Sequence, residues 1–246
     1  MVTIDINCDM GEGMGQDEAI MPYITSANIA CGYHAGDEHT IRQTIELAMA
    51  HQVAIGAHIS FSDTANFGRR EMQLPPAAIT GLVTQQLVII SHIADAAGVQ
   101  LRHVKPHGAL YNLSAKEIEV ANAIAKAVKA FDKNLVLFGL SGSFSIREAK
   151  ATGLQTASEV FADRSYQDDG SLTPRSEPNA LITDVNASMQ QVLQMIREGT
   201  VTSVTGKQVP IIADTICIHG DGPHAAAFAK TIYQTLQQQS IALKAF

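Results

Sequence analysis

The stretch IDINCDMGEG, residues 4–13, carries the reading of the fold. Ile4, Ile6 and Cys8 alternate with Asp5, Asn7 and Asp9, the period of a β-strand whose two faces meet different surroundings. A parallel strand covered on both faces reads apolar throughout, so this alternation places something polar on the inner face. An edge strand with one wet side would read the same way, and one strand does not separate the two readings. The remaining chain tips the balance. Short apolar or β-branched runs at 2–8, 25–31, 53–57, 101–104, 135–139, 154–161 and 211–218 alternate with segments of helical period. Those helical segments fall near 38–51, 76–97, 115–131, 143–152, 183–198 and 222–239.

The longest helical segment repeats Ile79, Leu82, Val83, Leu87, Ile90, Ile93 and Ala94 at spacings of three and four, with Pro75 and Pro76 at its start and Gly98 at its end. Asp37 is expected to cap the helix that follows it, and Ser114 with Glu117 reads as a capping box. Strand followed by helix, repeated without a long linker, predicts a largely parallel sheet in one domain over 1–246. Seven strands with a polar inner face favour closure into a barrel whose lumen is polar and receives Asp5, Asn7 and Asp9.

Chemistry in such folds gathers past the C-terminal ends of the strands. The residues there are Asp9 and Glu12, His34 and Asp37, His58 and Asp63, Lys105 and His107, then Glu159, Asp163 and Arg164, and last His219 and Asp221. Each alone reads as a cap or a satisfied loop group; together they place proton-transfer groups after six of the seven runs. Glycines crowd the same places, in CDMGEGMG, CGYHAGD, KPHGALYN and CIHGDGPH, as tight turns require. Asp9, His34 and His58 form a candidate metal-ligand set. Lys105 at a strand end reads as a mouth residue whose replacement spares the core.

Composition sets the limits. A net charge of −7 over 246 residues leaves no footprint for nucleic acid or an anionic membrane. Three widely spaced cysteines, Cys8, Cys31 and Cys217, form no disulfide framework and are expected in the core, in a cytoplasmic setting. The acidic N-terminal stretch is unlike a secretory leader, and no apolar run approaches about 18 residues. Neither GxGxxG after a strand nor GxxxxGK[ST] occurs, and GLSGS at 139–143 departs from a nucleophile elbow and reads as a turn with a serine cap.

The phrases IDINCDMGEG, NIACGYHAGD, GAH, FGRRE, VKPHGALYN, EVFADRSYQDDGSL and CIHGDGPHA occur in an order that resembles the LamB/YcsF family along almost the whole chain. That resemblance implies an irregular seven-stranded (β/α) barrel, an α/β fold similar to the glycoside hydrolase/deacetylase superfamily. It also implies one component of an ATP-dependent 5-oxoprolinase, the component designated A, which opens the lactam of 5-oxo-L-proline to L-glutamate with partner subunits B and C. Expected catalytic residues are then Asp9, Glu12, His34, His58, Lys105 and His219; expected substrate-binding residues are Asn7, Asn28, His107, Glu159, Arg164 and Asp221. Lys105 and Arg164 would hold the substrate carboxylate or a phosphorylated oxygen, Asp9 or Glu12 would orient or deprotonate water, and one of His34, His58 and His219 would protonate the ring nitrogen. ATP is the expected cofactor, with a divalent metal left open. One departure stands out: GAHISFSD lacks the two prolines usual in the family, which predicts a more mobile loop. Two other readings remain: a metal-dependent deacetylase of an N-acyl sugar or amino acid, and a binding protein without chemistry of its own.

Overall fold

The computed structural model describes residues 2–219 and 225–246. Strands β1 (Thr3–Met10), β2 (Ser26–Ala30), β3 (Ala54–Ile59), β4 (His103–Pro106), β5 (Val136–Leu140) and β6 (Gln155–Phe161) pair in sequence order, all parallel. An antiparallel hairpin, β7 (Thr200–Thr202) with β8 (Gln208–Pro210), stands apart from this sheet. Strand β9 (Thr215–Ile218) then pairs with both β6 and β1 and closes a seven-stranded parallel barrel. A short β10 (Ala242–Leu243) adds to β1 at Thr3 and Ile4.

Alternation along β1 is the reason the lumen is polar. Asp5 and Asn7 are buried inside the barrel, while Ile4, Ile6 and Cys8 face the surrounding helices and are equally buried. Asp5 accepts hydrogen bonds from the hydroxyls of Thr25, Ser26 and Thr215. Burial still pushes its carboxyl above the usual range, because three hydroxyls do not replace bulk water.

Helices α1 (Asp17–Ile20), α2 (Glu38–Ala50), α3 (Pro76–Ala96), α4 (Gly108–Lys116), α5 (Ile118–Phe131), α6 (Phe144–Thr152), α7 (Val185–Glu198) and α8 (Ala225–Gln238) occupy the connections. Asp37 caps α2 as expected, accepting from the Thr40 amide. Pro76 opens α3, whose Ile79, Val83, Leu87 and Ile90 are buried. Among the described residues α3 alone is long and apolar enough to cross a membrane, yet it packs on β3, α2 and α5.

Four local expectations need correction. The helix expected over 115–131 is two helices, α4 and α5, because the KPHG turn starts a helix directly after β4. Ser114 therefore lies inside α4, where its hydroxyl donates back to the Tyr111 carbonyl and caps nothing. Ser143 holds the N-cap position of α6 but makes no side-chain cap bond. The last run is a strand only from Thr215, since the Ile212 amide turns aside to donate to Ser141.

Candidate active site

The C-terminal ends of the barrel strands open into a cavity of about 970 Å³ lined by Asp9, Glu12, His58, Lys105, His107, Arg164 and His219, among others. Lys105 lies within β4, not beyond it, in register opposite His58 of β3, so its side chain enters the lumen. Its ammonium is buried between two carboxylates, 2.9 Å from Asp9 Oδ1 and 2.8 Å from Glu159 Oε1. It also donates to Asn7 Oδ1 at 3.1 Å and to Cys217 Sγ at 3.2 Å. Burial disfavours this charge, but Asp9 first, then Cys217 and Glu159, outweigh it and hold the lysine well above its ordinary value. The expectation that Lys105 is a mouth residue dispensable to the core is thereby corrected.

Asp9 is the hinge of the network. Its Oδ1 accepts from Lys105 and from Asn28 Nδ2, and its Oδ2 lies 3.2 Å from His58 Nε2. Burial works against its charge, yet His58 and Lys105 hold the carboxyl well below the usual carboxylate range. A carboxylate so depressed is a poor proton acceptor, which makes Asp9 an orienting and charge-balancing group.

Beside it, four side chains from the ends of β1, β2, β3 and β4 converge: Glu12, His34, His58 and His107, with donor atoms all within 4.8 Å of one another. The rings of His34 and His107 stack at 3.9 Å. Burial, then the neighbouring imidazoles, pushes His107 far below the ordinary histidine value; burial also lowers His34. The turn at 64–68 closes over these rings. Gly68, at φ +65°, makes this close approach possible, because a Cβ there would meet Ser60 Oγ at 2.2 Å and His34 Cβ at 2.9 Å. The preceding segment, expected to be mobile for want of prolines, is anchored by the buried Gln86, which accepts from the Ser60 amide and donates to its carbonyl.

A third group adjoins Asp9, with His219 within 4.8 Å of the Asp9 carboxylate and the Cys217 sulfur. His219 Nδ1 lies 2.8 Å from Asp163 Oδ2, and its Nε2 receives Arg175 Nη2 at 3.1 Å. The carboxylate and the guanidinium together select the neutral tautomer with the proton on Nδ1. Burial opposes the charge on Asp163, but His219, Arg164 and Arg175 keep its carboxyl below the ordinary value.

Other expected residues sit elsewhere. Asn7 and Asn28 are consumed beneath the cavity: Asn7 donates to Thr215, and Asn28 donates to Asn7 and Asp9. Arg164 lines the cavity, but its guanidinium donates to the Thr173 and Ala180 carbonyls, bracing the segment between them. Asp37 is an exposed cap, Asp63 accepts from Asn66, and Asp221 lies outside the described residues. All three cysteines are buried, and Cys217 is not only a core residue, since it faces Lys105.

Sequence reading passes over His103, Asp163 as the partner of His219, and Arg175. His103 donates from Nε2 to Asn28 Oδ1 and stacks on Phe138 at 4.3 Å, and burial lowers its pKa to about 3. Its place in LRHV, two residues before Lys105 and so on the same strand face, is a usable signal. Arg175 offers none, standing in a polar loop far from any strand end.

The profile of the LamB/YcsF family matches residues 4–246. The chain belongs to that family. It is 52% identical over 247 residues to a Bordetella pertussis protein named as the A subunit of 5-oxoprolinase, covering 98% of each chain. A Geobacillus kaustophilus protein of the same name is 53% identical over 249 residues, covering 100% of this chain and 97% of that one. A crystal structure of a lactam utilization protein from Thermus thermophilus superposes with a TM-score of 0.93 at 42% identity, covering both chains fully. For this LamB/YcsF chain the sequence resemblance therefore holds along its whole length.

Proposed function

We propose that this LamB/YcsF chain acts as the A component of a 5-oxoprolinase, opening the lactam of 5-oxo-L-proline to L-glutamate in the cytoplasm, with ATP coupling supplied together with partner subunits B and C. The reading is supported by full-length identity of about half to relatives of that name. It rests most on one observation, the Asp163–His219 pair standing directly beside the Asp9–Lys105–Glu159 network in a single cavity.

Hydrolysis of a lactam requires water to add to the carbonyl carbon, the C–N bond to break and the ring nitrogen to take a proton. His219 suits the proton steps. Its neutral tautomer accepts at Nε2 once Arg175 turns to the substrate, and Asp163 stabilises the imidazolium that results. The histidine then returns the proton to the departing nitrogen. Sequence leaves three histidines unranked; His34 and His58 have no exposed side-chain surface, whereas His219 keeps 15%. Arg175 provides a fork for the substrate carboxylate. Lys105 and Arg164, each engaged by the protein itself, shape the cavity's charge and wall rather than grip an anion.

The deciding experiment combines the chain with its partner subunits, ATP and 5-oxoproline and measures glutamate and ADP together. Asp163→Asn should reduce glutamate formation on the order of 100-fold or more while leaving the melting temperature close to wild type. Full glutamate formation without this chain, or an unimpaired Asp163→Asn variant, would overturn the reading. Acetate release from an N-acyl sugar in place of lactam opening would favour the deacetylase reading instead.

A further inference from the structure

The hydrogen bonds around the stacked imidazoles leave a contradiction that chemistry must resolve. His107 Nε2 lies 2.9 Å from the Phe67 carbonyl, and His58 Nδ1 lies 3.0 Å from the Lys105 carbonyl. Carbonyl oxygens only accept, so each of those nitrogens carries its ring's proton. With both rings neutral the nitrogens left over, His107 Nδ1 and His58 Nε2, are lone pairs, and they face each other at 2.9 Å. Two lone pairs at that separation repel unless a positive centre joins them, either a second proton on His58, whose Nε2 also lies 3.2 Å from Asp9 Oδ2, or a metal cation that the further ligands around this point would complete.

Around that same point stand Glu12 Oε1, 3.4 Å from His107 Nδ1 and 3.7 Å from His58 Nε2, and His34 Nε2, 3.0 Å from Glu12 Oε1. A tetrahedron with metal–ligand bonds of about 2.05 Å has edges of about 3.3 Å. The four separations bracket that value. The geometry points to a divalent transition-metal site built from Glu12, His34, His58 and His107. Three imidazoles and one carboxylate suit Zn²⁺, Co²⁺ or Fe²⁺ and are too rich in nitrogen for Mg²⁺ or Ca²⁺.

The surroundings are those of a ligand set. Metal-bound histidines ordinarily donate their other N–H to a carbonyl or carboxylate, which fixes the ring. His58 and His107 both do so, to the backbone carbonyls of Lys105 in β4 and of Phe67 in the turn after β3. The turn carrying Phe67 is held against the rings by Gly68, and Ala109 donates its amide to the Gly68 carbonyl. The set also borders the cavity through Glu12, His58 and His107, beside Asp9. A cation there would sit where it could polarise a carbonyl oxygen or a water molecule. This differs from the set expected from sequence, Asp9 with His34 and His58: Asp9 Oδ1 is held by Lys105, and Glu12 and His107 complete the cluster.

The inference goes beyond the lactam reading and is tested without substrate or partner, so either can fail alone. Full-length protein stripped with a chelator is titrated with Zn²⁺ by calorimetry and with Co²⁺ by visible absorption. The expected result is one cation per chain, tetrahedral Co²⁺ bands and no sulfur-to-cobalt charge transfer. His34→Gln and His107→Gln should each weaken Zn²⁺ binding by at least about 100-fold, and His219→Asn should leave it unchanged. Circular dichroism checks folding; should a histidine variant fail to fold, Glu12→Gln, at the cavity edge, is read in its place. No binding to the wild type would overturn the proposal. So would loss on His219→Asn with sulfur-to-cobalt charge transfer, which would move the cation to Asp9, Cys217 and His219.

Discussion

Replacing Lys105 by methionine keeps most of the buried stem and removes only the charge. Its ammonium lies within 3 Å of both Asp9 and Glu159, and Glu159 is fully buried. The variant therefore leaves one buried carboxylate without its compensating charge and a second one partly relieved by His58. Breaking a buried pair from one side costs about 3–5 kcal/mol, a large part of the roughly 5–15 kcal/mol that holds a protein folded. At roughly 2–4 °C per kcal/mol for a chain of this size, the melting temperature should fall by about 6–20 °C. Lys105→Ala should cost roughly 2–3 kcal/mol more, from the methylenes withdrawn from packing. Adding Glu159→Gln to Lys105→Met removes one of the stranded charges and should recover at least about 1.5 kcal/mol, a coupling that additive sites would not show. Urea unfolding of the wild type, the two single variants and the double variant at pH 7 gives the numbers. A Lys105→Met variant within about 1 kcal/mol of wild type, or no coupling with Glu159→Gln, would refute the account of a lysine that neutralises the lumen.

Gly68→Ala should destabilise the protein by about 1–3 kcal/mol in urea unfolding, because the new Cβ falls 2.2 Å from Ser60 Oγ at a left-handed φ. Arg164→Met should leave the barrel folded but speed proteolytic cleavage between residues 167 and 180, since two of its carbonyl tethers, on Thr173 and Ala180, are lost; unchanged cleavage would deny it that bracing role. Asp37 caps α2, and its hydrogen bonds from the Thr40 amide and hydroxyl hold its carboxyl below the ordinary value. Its contribution is thus present above the unfolded-state value and lost as pH falls through the folded one, so the gap between wild type and Asp37→Ala should narrow from pH 6 to pH 3.

How much of this is legible in the sequence depends on range. The barrel is, because alternation in β1 is a local signal: Asp5 and Asn7 can be buried next to Ile4 and Ile6 only if the strand's two faces see different media. The group at the mouth is legible for the same reason, as Asp9, His58 and His219 stand at strand ends whatever their partners. Partners themselves are not. Lys105 reads as a mouth residue beyond the strand while the apolar run of β4 stops at Val104; the extra strand residues turn its side chain into the lumen, toward carboxylates 96 and 54 positions away in the chain (105 minus 9, and 159 minus 105). Arg164 reads as an anion holder because its charge is visible and the two carbonyls it serves are not. The split of 115–131 escapes because Ser114 and Glu117 satisfy a capping template that the preceding turn of helix has already made redundant.

The pairing of β1 with β9 and β10 also governs how the chain can acquire its shape. Asp5 and Asn7 find their Thr215 partner only after more than two hundred intervening residues have been laid down, and Thr3 and Ile4 wait for Ala242 and Leu243. During synthesis the strand made first is thus satisfied last, and a half-built barrel would present its charged inner row to water and its β1 edge to any passing strand. Closure is consequently a late, long-range event with a large loop-entropy cost, and folding should be slow and all-or-none about β9. Removing β9 and all that follows would leave not a smaller barrel but an open sheet with two unpaired parallel edges.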